Sequence, residues 1–157
     1  MSNILSIDVG IKNFAVCLMN KEEIIFCEIF ELQKNCKKLL WDRIMLNLKN
    51  KLQHIIDLYK VDQVLIERQM NARMRMVSVG ALMFFMSNNI PAEIVSATEK
   101  LKHTGKNKSY AERKKLAICL TRFYLLQEKY HPWIQYLIVI KKKMIYPTLF
   151  YIHSTIY

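Results

Sequence analysis

Two acidic residues stand where short strand-like runs end: Asp8 after Ile4-Leu5-Ser6-Ile7, and Glu67 after the run from Val61 to Ile66. In open α/β sheets the carboxyl ends of strands are where ligands bind. If these two strands are neighbours, their carboxylates converge and repel each other unless a hard cation lies between them. Magnesium suits that place, because it prefers oxygen ligands and retains waters that a phosphate can replace. Taken singly, each acid reads more readily as a solvated turn residue, the usual role of an acid at a strand end. The weight of the pair therefore comes from what surrounds it.

The surroundings are basic. Glu67 is followed by Arg68-Gln69, and Arg73 and Arg75 come shortly after, on the next helical segment. The planar fork of donors on arginine grips phosphate well. A polar stretch from Thr98 to Lys108 carries Lys100, Lys102, Lys106 and Lys108, with His103 within it and Tyr110 just beyond. Each lysine alone reads as part of a solvated loop; the cluster reads as a contact for a polyanion, with strongly salt-dependent binding. Arg113-Lys114-Lys115 then opens a further helical segment, where cations oppose the helix dipole and an anionic partner accounts for them better than local stability does. Over the whole chain 24 Lys and Arg stand against 13 Asp and Glu, a net charge of +11. That excess is well beyond what solubility needs, and nucleic acid is the commonest partner of so basic a small domain.

Placing these residues requires a scaffold, and the hydrophobic pattern supplies one. Ile4 to Ile7 reads as a strand ending in Asp8-Val9-Gly10, with Gly10 allowing a sharp turn. Asn13 to Met19 and Glu23 to Phe30 read as two more strands about the polar turn Asn20-Lys21-Glu22, giving an antiparallel meander. The period then changes: Leu40, Ile44, Leu48, Leu52, Ile55, Ile56 and Tyr59 mark an amphipathic helix from about Lys37 to Lys60. A fourth strand delivers Glu67, a second helix spans Asn71 to Ser87, and Asn88-Asn89-Ile90-Pro91 ends it before a short fifth strand, Ala92 to Val95. Ser109 with Glu112 forms a capping box for a third helix to about Glu128. The order β-β-β-α-β-α-β-α predicts an α/β fold: a mixed five-stranded sheet, its first three strands antiparallel and its last two parallel, flanked by helices.

With 157 residues, 52% of them apolar, the chain is long enough to fold around one core. Cys17, Cys27, Cys36 and Cys119 show no paired spacing, which argues against a zinc ribbon or a disulfide framework and for buried free thiols in a reducing compartment. No apolar run is long enough to cross a membrane, and the first residues read as a strand rather than a signal peptide, so an intracellular protein is expected.

Three segments together carry a resemblance. Ile7-Asp8-Val9-Gly10-Ile11-Lys12-Asn13, Leu65-Ile66-Glu67-Arg68-Gln69 and Ser109-Tyr110-Ala111-Glu112-Arg113-Lys114-Lys115 resemble successive motifs of the poxvirus Holliday-junction resolvases, which are similar to the bacterial RuvC type and the mitochondrial cruciform-cutting enzymes. The resemblance spans about the first 130 residues. It implies an RNase H-like fold and a homodimer that nicks four-way or branched DNA symmetrically with Mg2+ or Mn2+. It implies that Asp8 and Glu67 are the first two metal-binding acids and that Lys114 or Lys115 is an active-site lysine. Lys12, Arg68, Arg73, Arg75, Lys100, Lys102, Lys106, Lys108 and Arg113 become the expected DNA contacts. The implied setting is viral replication in the host cytoplasm.

One motif of that family is missing. Its C-terminal helix carries Asp-Asp-x-x-Asp, yet no Asp follows Asp62, and Pro147 stands where the helix should run. The genetic code offers a source. If Lys143 is encoded AAG and the bases are read one position earlier, the Lys143/Met144 and Met144/Ile145 junctions both give GAT, an Asp codon. The Pro147/Thr148 junction gives Asp when the proline codon ends in G. The expectation is a resolvase domain over 1–143 and a frameshifted tail over 144–157. Two other readings stay open: a catalytically impaired module that binds junctions or RNA, and an RNase H-type nuclease acting on RNA–DNA hybrids.

Overall fold

The computed structural model describes residues 2–96, apart from Glu22, Cys36 and Lys37, together with Glu112. The elements follow in the order β1 (Ile4–Asp8), β2 (Phe14–Met19), β3 (Ile24–Phe30), α1 (Trp41–Leu58), β4 (Gln63–Glu67), α2 (Ala72–Ser87) and β5 (Ala92–Val95). They build one five-stranded sheet in the order β3-β2-β1-β4-β5. β1, β2 and β3 pair antiparallel, whereas β1 with β4 and β4 with β5 pair parallel. This is the predicted mixed sheet. The third helical segment expected after Ser109 lies outside the described residues, apart from Glu112.

Side chains alternate across each strand, and the two faces of the sheet have different partners. Leu5 and Ile7 of β1, Val16 and Leu18 of β2, and Val64 and Ile66 of β4 join one buried cluster with Ile44, Leu48, Leu52 and Ile55 of α1 and Val77, Ala81 and Phe85 of α2. Phe14 and Phe30 stack at 4.9 Å within it. Ile4, Leu65 and Val95 form a separate buried cluster. They occupy the alternate positions, so they belong to the opposite face.

α1 buries one stripe, as its three- and four-residue spacing predicts, but it begins at Trp41 rather than near Lys37. The Gln33 side chain holds the preceding loop: its amide donates to the carbonyl of Lys38 at 2.6 Å, and its Oε1 accepts from the Leu40 N–H at 3.0 Å. Leu40 is therefore extended, and the helix starts after it. β4 starts at Gln63, two residues later than expected, because the N–H groups of Asp62 and Gln63 both go to the Asn3 carbonyl before the strand ladder begins.

α2 ends by a close hydrogen-bonded reversal. Asn89 has φ 58°, its N–H donates to the Met86 carbonyl, and the Ile90 N–H donates to that of Phe85. This is the Schellman arrangement, with asparagine in the left-handed position more often held by glycine. Pro91 follows at once, and its carbonyl accepts from the Val64 N–H at 2.8 Å to begin the β4–β5 pairing.

Cys17 and Cys27 are directly opposed in the β2–β3 register, with Cα atoms 4.2 Å apart. Both are buried as expected, but the antiparallel pairing brings them together across ten residues of sequence. Among the described residues no helix is long and apolar enough to cross a membrane.

Candidate active site

β1 and β4 are adjacent and parallel, with Ile7 opposite Ile66. One residue further along each strand come Asp8 and Glu67, at the same edge of the sheet and on the same face. Neighbouring strands lie about 4.8 Å apart, so the two carboxyl groups start from backbones within reach of one cation. That face is the one carrying Ile4, Leu65 and Val95, away from the α1 and α2 core. Asp8 and Glu67 are both half-buried.

The turn after β1 fixes where Asp8 stands. The chain folds back so closely that a Cβ on Gly10 would lie 2.5 Å from the Asn13 carbonyl oxygen. The Leu32 N–H donates to the Ile11 carbonyl at 2.8 Å, tying this turn to the end of β3. After Glu67, the Arg68 N–H donates to the Val95 carbonyl at 2.8 Å, so β4–β5 pairing runs one residue beyond the acid. Both acids thus stand on backbone that is held on two sides.

One contact was not assigned from the sequence. Gln69 Nε2 donates to Asp8 Oδ1 at 3.3 Å, across 61 residues of sequence. The available signal was spacing: Gln69 lies two residues after Glu67, which returns a strand-like segment to the same face.

The expected DNA contacts divide. Lys12 is exposed in the turn after β1, and Arg68 is exposed beside Glu67. Arg73 and Arg75 are exposed at the start of α2, the end nearest Glu67 in sequence. The Asn71 side chain caps that helix by accepting from the Arg73 N–H at 2.9 Å. Lys100, Lys102, Lys106, Lys108, Arg113, Lys114 and Lys115 lie outside the described residues.

Among the described residues, no group of three or more His, Cys, Asp or Glu side chains gathers to hold a metal ion. Two carboxylates are nevertheless a fitting donor set for one hard cation of the magnesium type, which is commonly held by one or two carboxylates together with substrate phosphate and water.

Comparison with known proteins agrees with this architecture. The family described as poxvirus A22 protein matches residues 2–144. None of the curated proteins matches the chain. Among solved structures, Thermus thermophilus RuvC is similar with a TM-score of 0.60 at 13% identity, covering 80% of this chain and 82% of that one. The Fowlpox virus resolvase, solved in complex with substrate Holliday junction DNA, is similar with a TM-score of 0.52 at 23% identity, covering 75% and 73%. The yeast mitochondrial Holliday junction resolvase Ydc2 is similar with a TM-score of 0.53 at 19% identity, covering 82% of this chain and 64% of that one. The structural likenesses establish an RNase H-like fold, and the family match over most of the sequence establishes the lineage: the chain belongs to the poxvirus A22 protein family, the poxvirus branch of the Holliday-junction resolvases.

Proposed function

We propose that this resolvase makes paired nicks in four-way or branched DNA with Mg2+ or Mn2+ held by Asp8 and Glu67. The observation that carries the reading is the matched position of these two acids at the ends of neighbouring parallel strands, in a chain of this family. Bound there, a divalent cation would polarise the scissile phosphate and ease ionisation of the attacking water. Asp8 and Glu67 supply the negative charge that holds it. They also keep phosphate away in its absence, since like charges repel. Lys12, Arg68, Arg73 and Arg75, all exposed, would neutralise the DNA backbone. Arg73 lies in the first turn of α2, where a cation opposes the helix dipole, so an anionic partner gives it a reason to be there. Lys100, Lys102, Lys106, Lys108 and Arg113 extend that DNA contact in this reading, with Lys114 or Lys115 placed at the scissile phosphate.

Symmetrical nicks need two sites related by a two-fold axis, which a homodimer provides. The working location would be the site of viral genome replication in the host cytoplasm. Residues 144–157 are read as a frameshifted tail replacing the acidic helix, and the family match ending at residue 144 supports this. Cleavage of a synthetic four-way junction, by the chain as it stands and by a chain with the shifted frame restored, tests the proposal. Symmetrical nicking by the restored chain, lost in Asp8→Asn, is expected; retention of nicking in Asp8→Asn overturns the assignment.

A second reading has its own support. No Asp follows Asp62 in the sequence, so this polypeptide has few carboxylates with which to complete a metal site. A junction-binding module that no longer cuts would bind four-way DNA tightly and leave it intact at saturating Mg2+. Cleavage of RNA–DNA hybrids in preference to junctions would select an RNase H-type activity instead.

A further inference from the structure

We propose that Gln69 is a positioning residue for Asp8, setting the direction in which that carboxylate meets a divalent cation. The inference rests on the reading of Asp8 as a cation ligand. Gln69 is half-buried between two exposed neighbours, Arg68 and Met70, the latter 90% exposed. Its Nε2 donates to Asp8 Oδ1 at 3.3 Å. An ionised carboxylate only accepts hydrogen bonds, so the amide nitrogen is the end that must face it.

The chemical consequence follows from the torsions of aspartate. Rotation about its Cβ–Cγ bond is broad and weakly held. A donor on Oδ1 fixes the plane of the carboxylate, and the remaining lone pairs then keep a constant direction. The donor's neutrality matters equally. An ammonium or guanidinium in this place would neutralise Asp8 and compete with the incoming cation. An amide orients the acid and leaves its charge intact. It also offsets part of the repulsion from Glu67 before any cation arrives. Outer hydrogen bonds of this kind commonly hold ligating carboxylates, and removing one typically costs about 10- to 100-fold in metal affinity.

The test uses the full chain bound to a four-way DNA junction, with Mn2+ binding followed by loss of the free-ion electron paramagnetic resonance signal. Gln69→Met keeps the length and bulk of the side chain and removes its N–H. The Mn2+ midpoint is expected to rise about 10-fold or more. The melting midpoint of the metal-free protein and its junction affinity without divalent ions should stay at the unsubstituted values. An unchanged Mn2+ midpoint overturns the proposal. So does a lowered metal-free melting midpoint, which would make Gln69 a residue of the fold. Gln69→Glu places a third carboxylate at the same spot and should tighten Mn2+ binding; unchanged binding would put residue 69 out of reach of Asp8 and overturn the proposal independently.

Asp8→Asn separates the two levels of the argument. If it leaves Mn2+ binding intact, or if the unsubstituted complex binds no Mn2+, the cation-ligand reading fails and the role of Gln69 fails with it. If Asp8→Asn abolishes binding while Gln69→Met does not alter it, only the positioning role is lost.

Discussion

Gly10 and Asn13 approach so closely that a side chain on the first would collide with the backbone of the second, at 2.5 Å from its carbonyl oxygen. Backbone cannot swing aside as a flexible side-chain tip can, so Gly10→Ala must reopen the turn that follows Asp8. We expect a loss of about 1–3 kcal/mol, the usual cost of overpacking a tight site. Urea denaturation of the variant checks the magnitude. Stability equal to that of the unsubstituted chain would show that the turn accommodates a methyl group.

A shape-preserving comparison addresses the acids. Glu67→Gln keeps the shape of the side chain and removes its charge, and junction nicking by the frame-restored chain should fall at least about 100-fold, the scale of several kcal/mol of lost metal-assisted stabilisation. Junction binding without divalent ions should be equal or tighter, because one repulsive charge has gone. Weakened metal-free binding would mean that Glu67 serves the fold.

Salt dependence reports the arginines. If Arg73 and Arg75 each neutralise one phosphate, replacing both with Gln should lower the slope of log affinity against log salt by about 1.8, from roughly 0.9 per phosphate contact. Gel-shift titrations over a range of KCl concentrations measure it. An unchanged slope would leave these two side chains on a merely solvated helix face.

Acid stability should depend on Asp62. The Asn3 backbone N–H donates to its Oδ2 at 2.8 Å, and the Lys60 ammonium lies 3.2 Å from Oδ1. The Asn3 hydrogen bond first, and Lys60 after it, lower its pKa from the ordinary 3.8. A carboxyl with a lowered folded-state pKa contributes stability above its unfolded value and loses it as pH falls through the folded one. Asp62→Asn should therefore be less stable at neutral pH, and the difference should vanish in strong acid. A pH series of denaturation curves shows this; a constant gap at every pH would contradict it.

The end of α2 allows a paired test. Asn89 sits at φ 58°, where alanine carries a steric penalty and glycine none. Asn89→Ala should cost about 1–2 kcal/mol, and Asn89→Gly should be at least as stable as the starting chain. Thermal melts of the two variants check the order.

The strands and α1 were legible because their hydrophobic periods are clean, and α2 because strong turn signals bracket it. Asp8 and Glu67 were legible as a pair because each closes a strand-like run. Cys17 with Cys27 was not, since cross-strand partners depend on a register that sequence spacing does not give. Nor was the buried face of α2. After Arg75 its residues are almost all apolar, so Val77, Ala81 and Phe85 inside are chemically indistinguishable from Val79, Met83 and Met86 outside. The reach of Gln69 to Asp8 was hidden for a third reason: it joins two segments whose adjacency only the sheet creates.

The sheet order has a bearing on how the chain is made. β1 ends up in the middle, with β2 on one side and β4 on the other. The first three strands can pair as soon as they leave the ribosome, but the other edge of β1 waits for β4, which closes only at residue 67. Throughout that interval the nascent meander exposes an unsatisfied strand edge, the kind of surface through which half-made chains stick to one another. A holding chaperone should therefore raise the soluble yield by covering the open edge of β1 until its partner arrives.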